Sequence, residues 1–330
     1  MDGLLIVDKP SGPTSHDVVA RMRRVLREPR IGHTGTLDPL ATGVLLLVVG
    51  KATRLAKFLS ASDKSYDAVV RLGFATDTAD ALGRPLAPVH GGPMPSRAEI
   101  EAALDAFRGT FMQQPPAFSA KKIDGQRSYK LARAARDARH LPRTLERGRE
   151  SIASSAIGDP QDPQGTSTQE MKTTPDPCQV TSYAVSILSV DGDLVTLSVD
   201  CSAGFYIRSL AHDLGERLGI GGHLTALRRT RTGAFTLDQA VTLDTVERDP
   251  QQAIAALLPL ADMLRDMPSV ILTPDGVNRV SHGQELRPVD HEPSALSPEP
   301  FVRLVNARGE LLAIAEPTGS GALHPSVVLM

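Results

Sequence analysis

The segment Gly32–Gly43 reads GHTGTLDPLATG, with three glycines, one histidine and one carboxylate directly before an apolar run at Val44–Val49. Glycine tolerates positive φ and lets a backbone pass close to a ligand. A loop of this make-up can therefore hold one carboxylate in a fixed place, where Asp38 would suit nucleophilic or proton-transfer work. The plainer alternative makes Asp38 an N-cap with Pro39 at the first helical position, a common pairing. On that dipeptide alone the plainer alternative is the stronger. Two other chemistries fail on spacing. From Gly43 to Gly50-Lys51 there are six intervening residues where a phosphate-binding P-loop needs four, and Ala52 stands where Ser or Thr should. Cys201, His212 and His223 match no usual zinc-ligand pattern, and Cys178 and Cys201 form no C-x-x-C pair.

The loop needs elements to hold it. GLLIV at 3–7 and the run at 44–49 read as buried strands, and Lys9-Pro10-Ser11-Gly12-Pro13 as a loop. Thr14 or Ser15 caps a helix over 16–27, on which Val18, Val19, Met22 and Leu26 share a face. Residues 66–74 read as a strand and 96–107 as a helix, with Ser96 and Glu99 in capping-box register. Two alternating strands near 180–190 and 193–201 flank the turn Asp191-Gly192-Asp193, and a helix follows at 205–218. Helical patterns also cover 126–139 and 250–266. Residues 147–177 are rich in Ser, Thr, Pro, Gly, Asp and Gln, which predicts a flexible insertion with no fold of its own. Short strands at 269–273, 300–305 and 310–316 predict a small β-domain after a boundary near 266.

A chain of 330 residues with 41% hydrophobic and 22% charged residues can build a sizeable core. No apolar run approaches bilayer length, and the opening MDGLLIVDKP reads as a first strand, not a signal peptide. Both features, with only two cysteines, predict a cytoplasmic protein. The net charge of −2 hides a strong polarity. Residues 119–149 carry ten basic residues against three acids. Arg127, Lys130, Arg133, Arg136 and Arg139 recur at every third position, a ridge that could neutralise phosphates. A solvated helix face is the equal alternative on charge alone.

The segment GHTGTLDPLATGVL resembles the catalytic motif of the TruB family of tRNA pseudouridine-55 synthases. The resemblance extends in order through LLIVDKPSGPTSHDVV, SDKSYDAVVRLGFATDTADALG, PPAFSAKKIDGQRSYKLAR, CSAGFYIRSLAHDLGERLG and HLTALRRTRTGAF. It covers residues 3–245 apart from the insertion. It implies an α+β fold with a mixed, mainly antiparallel sheet and flanking helices over residues 1–265. Over 266–330 it implies, more weakly, a small PUA-like β-barrel.

The activity it implies is an isomerase that converts uridine 55 in the tRNA T-loop to pseudouridine, after flipping the base from its stack. Residue by residue, the resemblance makes Asp38 the catalytic carboxylate, Arg208 its charge partner and Tyr66 the ring that stacks on the target base. His33, otherwise an ordinary surface histidine, would fill the vacated stack, and Tyr206 and Leu227 would wall the pocket, although both could equally be core residues. Lys9 and Lys64 could touch phosphate or simply be solvated, and the resemblance places Arg133 and Arg136 in an RNA-gripping thumb. Asp80 matches an acidic position whose role the motif alone leaves open. The isomerisation exchanges a C–N for a C–C bond without redox change, so no cofactor or metal is expected. The absence of an N-terminal extension fits the stand-alone bacterial type, a monomer acting without guide RNA. The rival is an RNA-folding chaperone that has kept the grip and lost the chemistry, yet Asp38, Tyr66 and Arg208 are all present together.

Overall fold

The computed structural model describes residues 1–119, 121–123, 125–128, 131, 174–292, 299–318 and 321–330. Arg133, Arg136 and nearly all of the 147–177 insertion lie outside the described residues. In chain order the strands are β1 (Gly3–Lys9), β2 (Ile31–His33), β3 (Thr42–Val49), β4 (Lys64–Leu72), β5 (Gly109–Gln113), β6 (Lys122–Ile123), β7 (Gln126–Arg127), β8 (Cys178–Asp191), β9 (Leu194–Cys201), β10 (Gly222–Thr232), β11 (Phe235–Thr236) and β12 (Val241–Thr242). They continue with β13 (Ser269–Ile271), β14 (Val302–Val305), β15 (Leu311–Pro317) and β16 (Leu323–Val328).

The main sheet runs β12-β1-β3-β10-β4-β9-β8-β5, with β11 added to β10 and β2 added to β3. Only β1–β12 and β3–β10 pair in parallel, so the sheet is mixed and mainly antiparallel. Successive strand residues point to opposite faces, and this explains the unbroken apolar runs of β1 and β3. Leu5, Val7, Leu45, Leu47 and Val49 enter one core beside the helix Ser15–Leu26. Leu4, Ile6, Val44, Leu46 and Val48 enter a second core on the other face. Each such leucine, wholly removed from water, contributes roughly 1.5–3 kcal/mol.

The second core also takes in Val305, Leu311, Ile314 and Leu329, so the C-terminal strands dock on the back of the main sheet. Their own sheet is β13-β14-β15-β16, covered by the helix Pro274–Ser281. Bridges at Leu272–His291 and Leu286–Leu323 extend its pairing, but among the described residues it stays an open sheet and does not close as the expected barrel.

Both capping predictions hold. Thr14 caps Ser15–Leu26 in a reciprocal box with Asp17, and Ser96 caps Arg97–Leu104 with Glu99. Two helix expectations need correction. The region 250–266 is a short helix, Pro250–Ala255, followed by a single tight turn at Leu260–Asp262. Pro259 cannot continue a helix, and Leu258 instead exchanges both backbone hydrogen bonds with Leu4 of β1, each 2.9 Å. At 126–139 only the start departs from the expectation: Gln126–Arg127 is a strand paired with Lys122–Ile123, Ser128 and Leu131 are helical, and the rest lies outside the described residues. Among the described residues no helix is long and apolar enough to cross a membrane.

Candidate active site

Asp38 sits in the loop between β2 and β3, and the loop is fastened from several directions. Ser15, at the first turn of its helix, donates to the Leu37 carbonyl (3.1 Å) and accepts from the Leu37 N–H (2.8 Å). Gly12 N–H reaches the Pro39 carbonyl at 2.8 Å. The Lys9 ammonium donates to the carbonyls of Ala41 (2.6 Å) and Pro10 (2.9 Å). The Ala41 N–H returns to the Asp38 carbonyl at 3.0 Å, closing a turn at Asp38-Pro39 and not a helix start. Gly35 has φ +139° and Gly43 φ +101°, values that a side chain rarely tolerates. A Cβ on Gly43 would also run into the Arg229 backbone.

Arg208 lies in the first turn of the helix Ile207–Arg217 and is buried. Its Nε is 2.9 Å from Asp38 Oδ2. Nη1 donates to the Thr78 carbonyl (3.2 Å) and Nη2 to the Phe118 carbonyl (2.8 Å). All three guanidinium nitrogens are thus engaged, and the fork cannot turn away from the carboxylate. Asp38 keeps 34% of its side-chain surface exposed, whereas Arg208 keeps 8%. Asp80 supplies a second carboxylate 3.8 Å from Nη1. It is held by the Thr78 hydroxyl (2.6 Å) and the Leu82 N–H (3.0 Å). Its place was open in the sequence, and the structure makes it the other charge facing Arg208.

A cavity of about 280 Å³ opens over this pair. Its walls bring together Asp38, Lys64, Tyr66, Tyr206, Arg208 and Leu227, with Arg229, Phe118 and Ser119 beside them. Tyr66 is buried in β4, and burial pushes its phenol above the ordinary tyrosine value. Burial raises Tyr206 likewise. Gln113 of β5 grips the Tyr206 backbone from both sides, donating to its carbonyl (3.0 Å) and accepting from its N–H (2.8 Å). Lys64 is buried with its ammonium on the Ser60 and Ser62 carbonyls, and desolvation lowers its pKa to about 8.

Two of the expected residues lie off the cavity wall. Lys9 is fully buried behind the loop, and burial lowers its pKa to about 8, so it fastens the loop and does not face a phosphate in solvent. His33 is not among the cavity-lining residues. It packs edge-on against His16 with ring centres 5.0 Å apart, and its Nδ1 accepts from Gly35 N–H at 3.4 Å. Arg229 is a charged pocket residue that the sequence reading missed. A signal was present, because it lies two residues after Leu227 in a strand and so shares its face. No group of three or more potential metal ligands occurs among the described residues. A larger cavity of about 730 Å³ lies between the sheet and the C-terminal strands, lined by Phe58, Phe235, Met263 and Phe301, and neither Asp38, Tyr66 nor Arg208 reaches it.

Residues 23–158 match the family model described as TruB family pseudouridylate synthase (N terminal domain). Residues 208–270 match the tRNA pseudouridylate synthase B C-terminal domain, and residues 268–329 the Pseudouridine synthase II TruB, C-terminal model. The chain is 37% identical over 333 residues to a tRNA pseudouridine synthase B of Solibacter usitatus, covering 100% of both chains. It is 41% identical over 330 residues to the protein of the same name from Thermobifida fusca, covering 99% of this chain and 98% of that one. Its fold is also that of a solved H/ACA RNP bound to a substrate RNA containing 2'-deoxyuridine. That match has a TM-score of 0.68 at 24% identity and covers 99% of this chain and 85% of the other.

Proposed function

The chain belongs to the TruB family of pseudouridylate synthases, and from that premise we propose that it isomerises uridine 55 in the T-loop of tRNA, with Asp38 as the catalytic carboxylate. The observation that carries this reading is the Asp38–Arg208 contact of 2.9 Å, set in a cavity with Tyr66 on its wall. A carboxylate that must act inside a closed site needs a neighbouring cation to hold its charge, and Arg208 is fixed for that task by two backbone carbonyls. Tyr66 offers an aromatic face to a flipped uracil, and Leu227 and Tyr206 close the walls around it. Lys64 brings positive charge to the same cavity, where the phosphates of the nucleotide would pass.

RNA bases can be acted on only when splayed from their stack, and a folded arm is recognised largely through shape and backbone. Arg133 and Arg136, in the basic stretch, serve that grip. The enzyme acts on tRNA without guide RNA, as a cytoplasmic monomer. Relatives at 37–41% identity carry the name tRNA pseudouridine synthase B, whereas the likeness to the H/ACA particle is one of fold.

The test is tritium release from tRNA labelled at uridine C5. Wild-type protein should release tritium and Asp38→Asn should not, while binding tRNA as before. A tRNA with cytidine at position 55 should release nothing. Tritium release that survives Asp38→Asn would remove Asp38 from the chemistry. Binding without release by the wild type would leave the RNA chaperone.

A further inference from the structure

We propose that Arg229 is a positioning residue for this reaction, a clamp that fixes the Asp38 loop against the strand carrying Tyr66 and so sets the gap that holds the uracil. The proposal rests on the reading of Asp38 and Tyr66 given above.

Arg229 stands where three strands meet. It is the cross-strand partner of Tyr66 on β4 and of Gly43 on β3. Directly opposed residues on antiparallel strands have side-chain roots only about 5 Å apart. Gly43 lacks the side chain that would collide with the Arg229 backbone, so the loop's exit strand can press against β10. The side chain then reaches both ends of the catalytic loop. Nε donates to the Val44 carbonyl at 2.7 Å, after Asp38, and Nη2 donates to the Gly35 carbonyl at 3.2 Å, before it. A Cβ on Gly35 would lie 3.5 Å from Nη1, so the glycine that begins the turn is packed on the guanidinium.

Its charge makes the arrangement unusual for this strand. Arg228 pairs with Asp8 at 2.8 Å and Arg231 with Asp200 at 3.3 Å. Arg229, only 2% exposed, has no carboxylate within ion-pair distance among the described residues. A buried cation without a carboxylate partner carries a desolvation cost that an apolar side chain of like volume would avoid. What the apolar side chain could not supply is the planar fork joining two separate carbonyls. The same cation opposes the effect of burial on the Tyr66 phenol and adds to the lowering of Lys64. Arg229 therefore acts on both faces of the gap, on the loop through hydrogen bonds to two carbonyls and on the Tyr66 phenol through its charge and a side-chain hydrogen bond.

Single-turnover tritium release and tRNA affinity, measured side by side, test the proposal with Arg229→Lys, Arg229→Met, Tyr66→Ala and the Arg229→Met/Tyr66→Ala double variant. Lysine keeps the charge and loses the fork. The chemical step should slow about tenfold with lysine and about a hundredfold with methionine, while affinity stays within about threefold. In the Tyr66→Ala background the methionine change should cost much less, because the gap it maintains has lost one wall. Multiplicative losses in the double variant, or losses that follow affinity and not rate, would overturn the clamp. If the methionine variants do not fold, Arg229→Lys decides alone, and a wild-type rate there overturns it. Asp38→Asn runs alongside. An inactive Asp38→Asn with fully active Arg229 variants sinks only this proposal, whereas an active Asp38→Asn sinks the catalytic reading beneath it.

Discussion

Among the described residues, two aspartate–arginine networks each bury one partner, and they are built inside out with respect to each other. In the catalytic sheet the arginine is buried and the carboxylate is open, with Arg208 at 8% exposure and Asp38 at 34%. In the C-terminal region the carboxylate is buried and the arginines are open, with Asp290 at 2%, Arg279 at 30% and Arg287 at 62%. Asp290 accepts from the Arg287 backbone N–H at 2.7 Å and from its side chain at 3.1 and 3.2 Å. Its carbonyl also anchors Thr273, the cap of the helix Pro274–Ser281. Every acceptor of Asp290 is spent on its own domain. In the Asp38 network the guanidinium is spent on the protein and the carboxylate is left facing a cavity. Which partner is buried separates a carboxylate closed into its own domain from one left open to a cavity.

Exchanging the arginines should widen that contrast most at the catalytic end. Arg208→Lys keeps a cation but cannot reach Asp38, Thr78 and Phe118 at once, so turnover should fall by about a hundredfold or more. The melting temperature should move little. A rate near wild type would show that charge alone suffices beside Asp38. Asp290→Asn should give the reverse pattern, a loss on the order of 2 kcal/mol in stability with the single-turnover rate preserved. Denaturant unfolding and the tritium assay together check it, and a selective loss of rate would mean that Asp290 communicates with the cavity.

Proton linkage sharpens the comparison with the smallest effect. The Asp290 carboxyl is held below its ordinary value, chiefly by the Arg287 side chain. Its contribution is therefore present above the unfolded value of about 4 and is lost as pH falls through the lower folded value. Lys9 and Lys64 behave oppositely, since burial brings both to about 8 from 10.5. Below pH 8 both states are protonated and the burial penalty is felt in full. From 8 to 10.5 the unfolded chain binds more protons than the folded one, so this contribution to stability rises with pH. Lys9→Met should flatten that alkaline rise and Asp290→Asn the acid fall. An unchanged alkaline slope would mean that the buried ammonium is stabilised by more than its carbonyls.

Local chemistry was open to reading from the chain itself. The boxes at Thr14 and Ser96 follow from short-range hydrogen bonding, and the apolar runs of β1 and β3 from burial on both faces. The glycine-rich loop declared a fixed backbone, because only glycine takes its torsions cheaply. The long strand β10 escaped notice because its arginine-rich stretch, LRRTRT, looks like a solvated basic segment. Only its place between β3 and β4, with Arg229 turned inward, makes it central. Residues 250–266 misled for a related reason, since periodicity cannot show that Leu258 will give its backbone to β1.

What the sequence determined by itself is the set of reactive groups and the local turns and caps that present them, since those depend on neighbours a few residues away. The motif resemblance already paired Arg208 with Asp38. The remaining meetings between groups came only from the folded chain, which put Asp80 behind Arg208 and Arg229 opposite Tyr66. Those meetings are set by strand pairing between distant segments and by the burial it enforces, and no local pattern of residues carries that information.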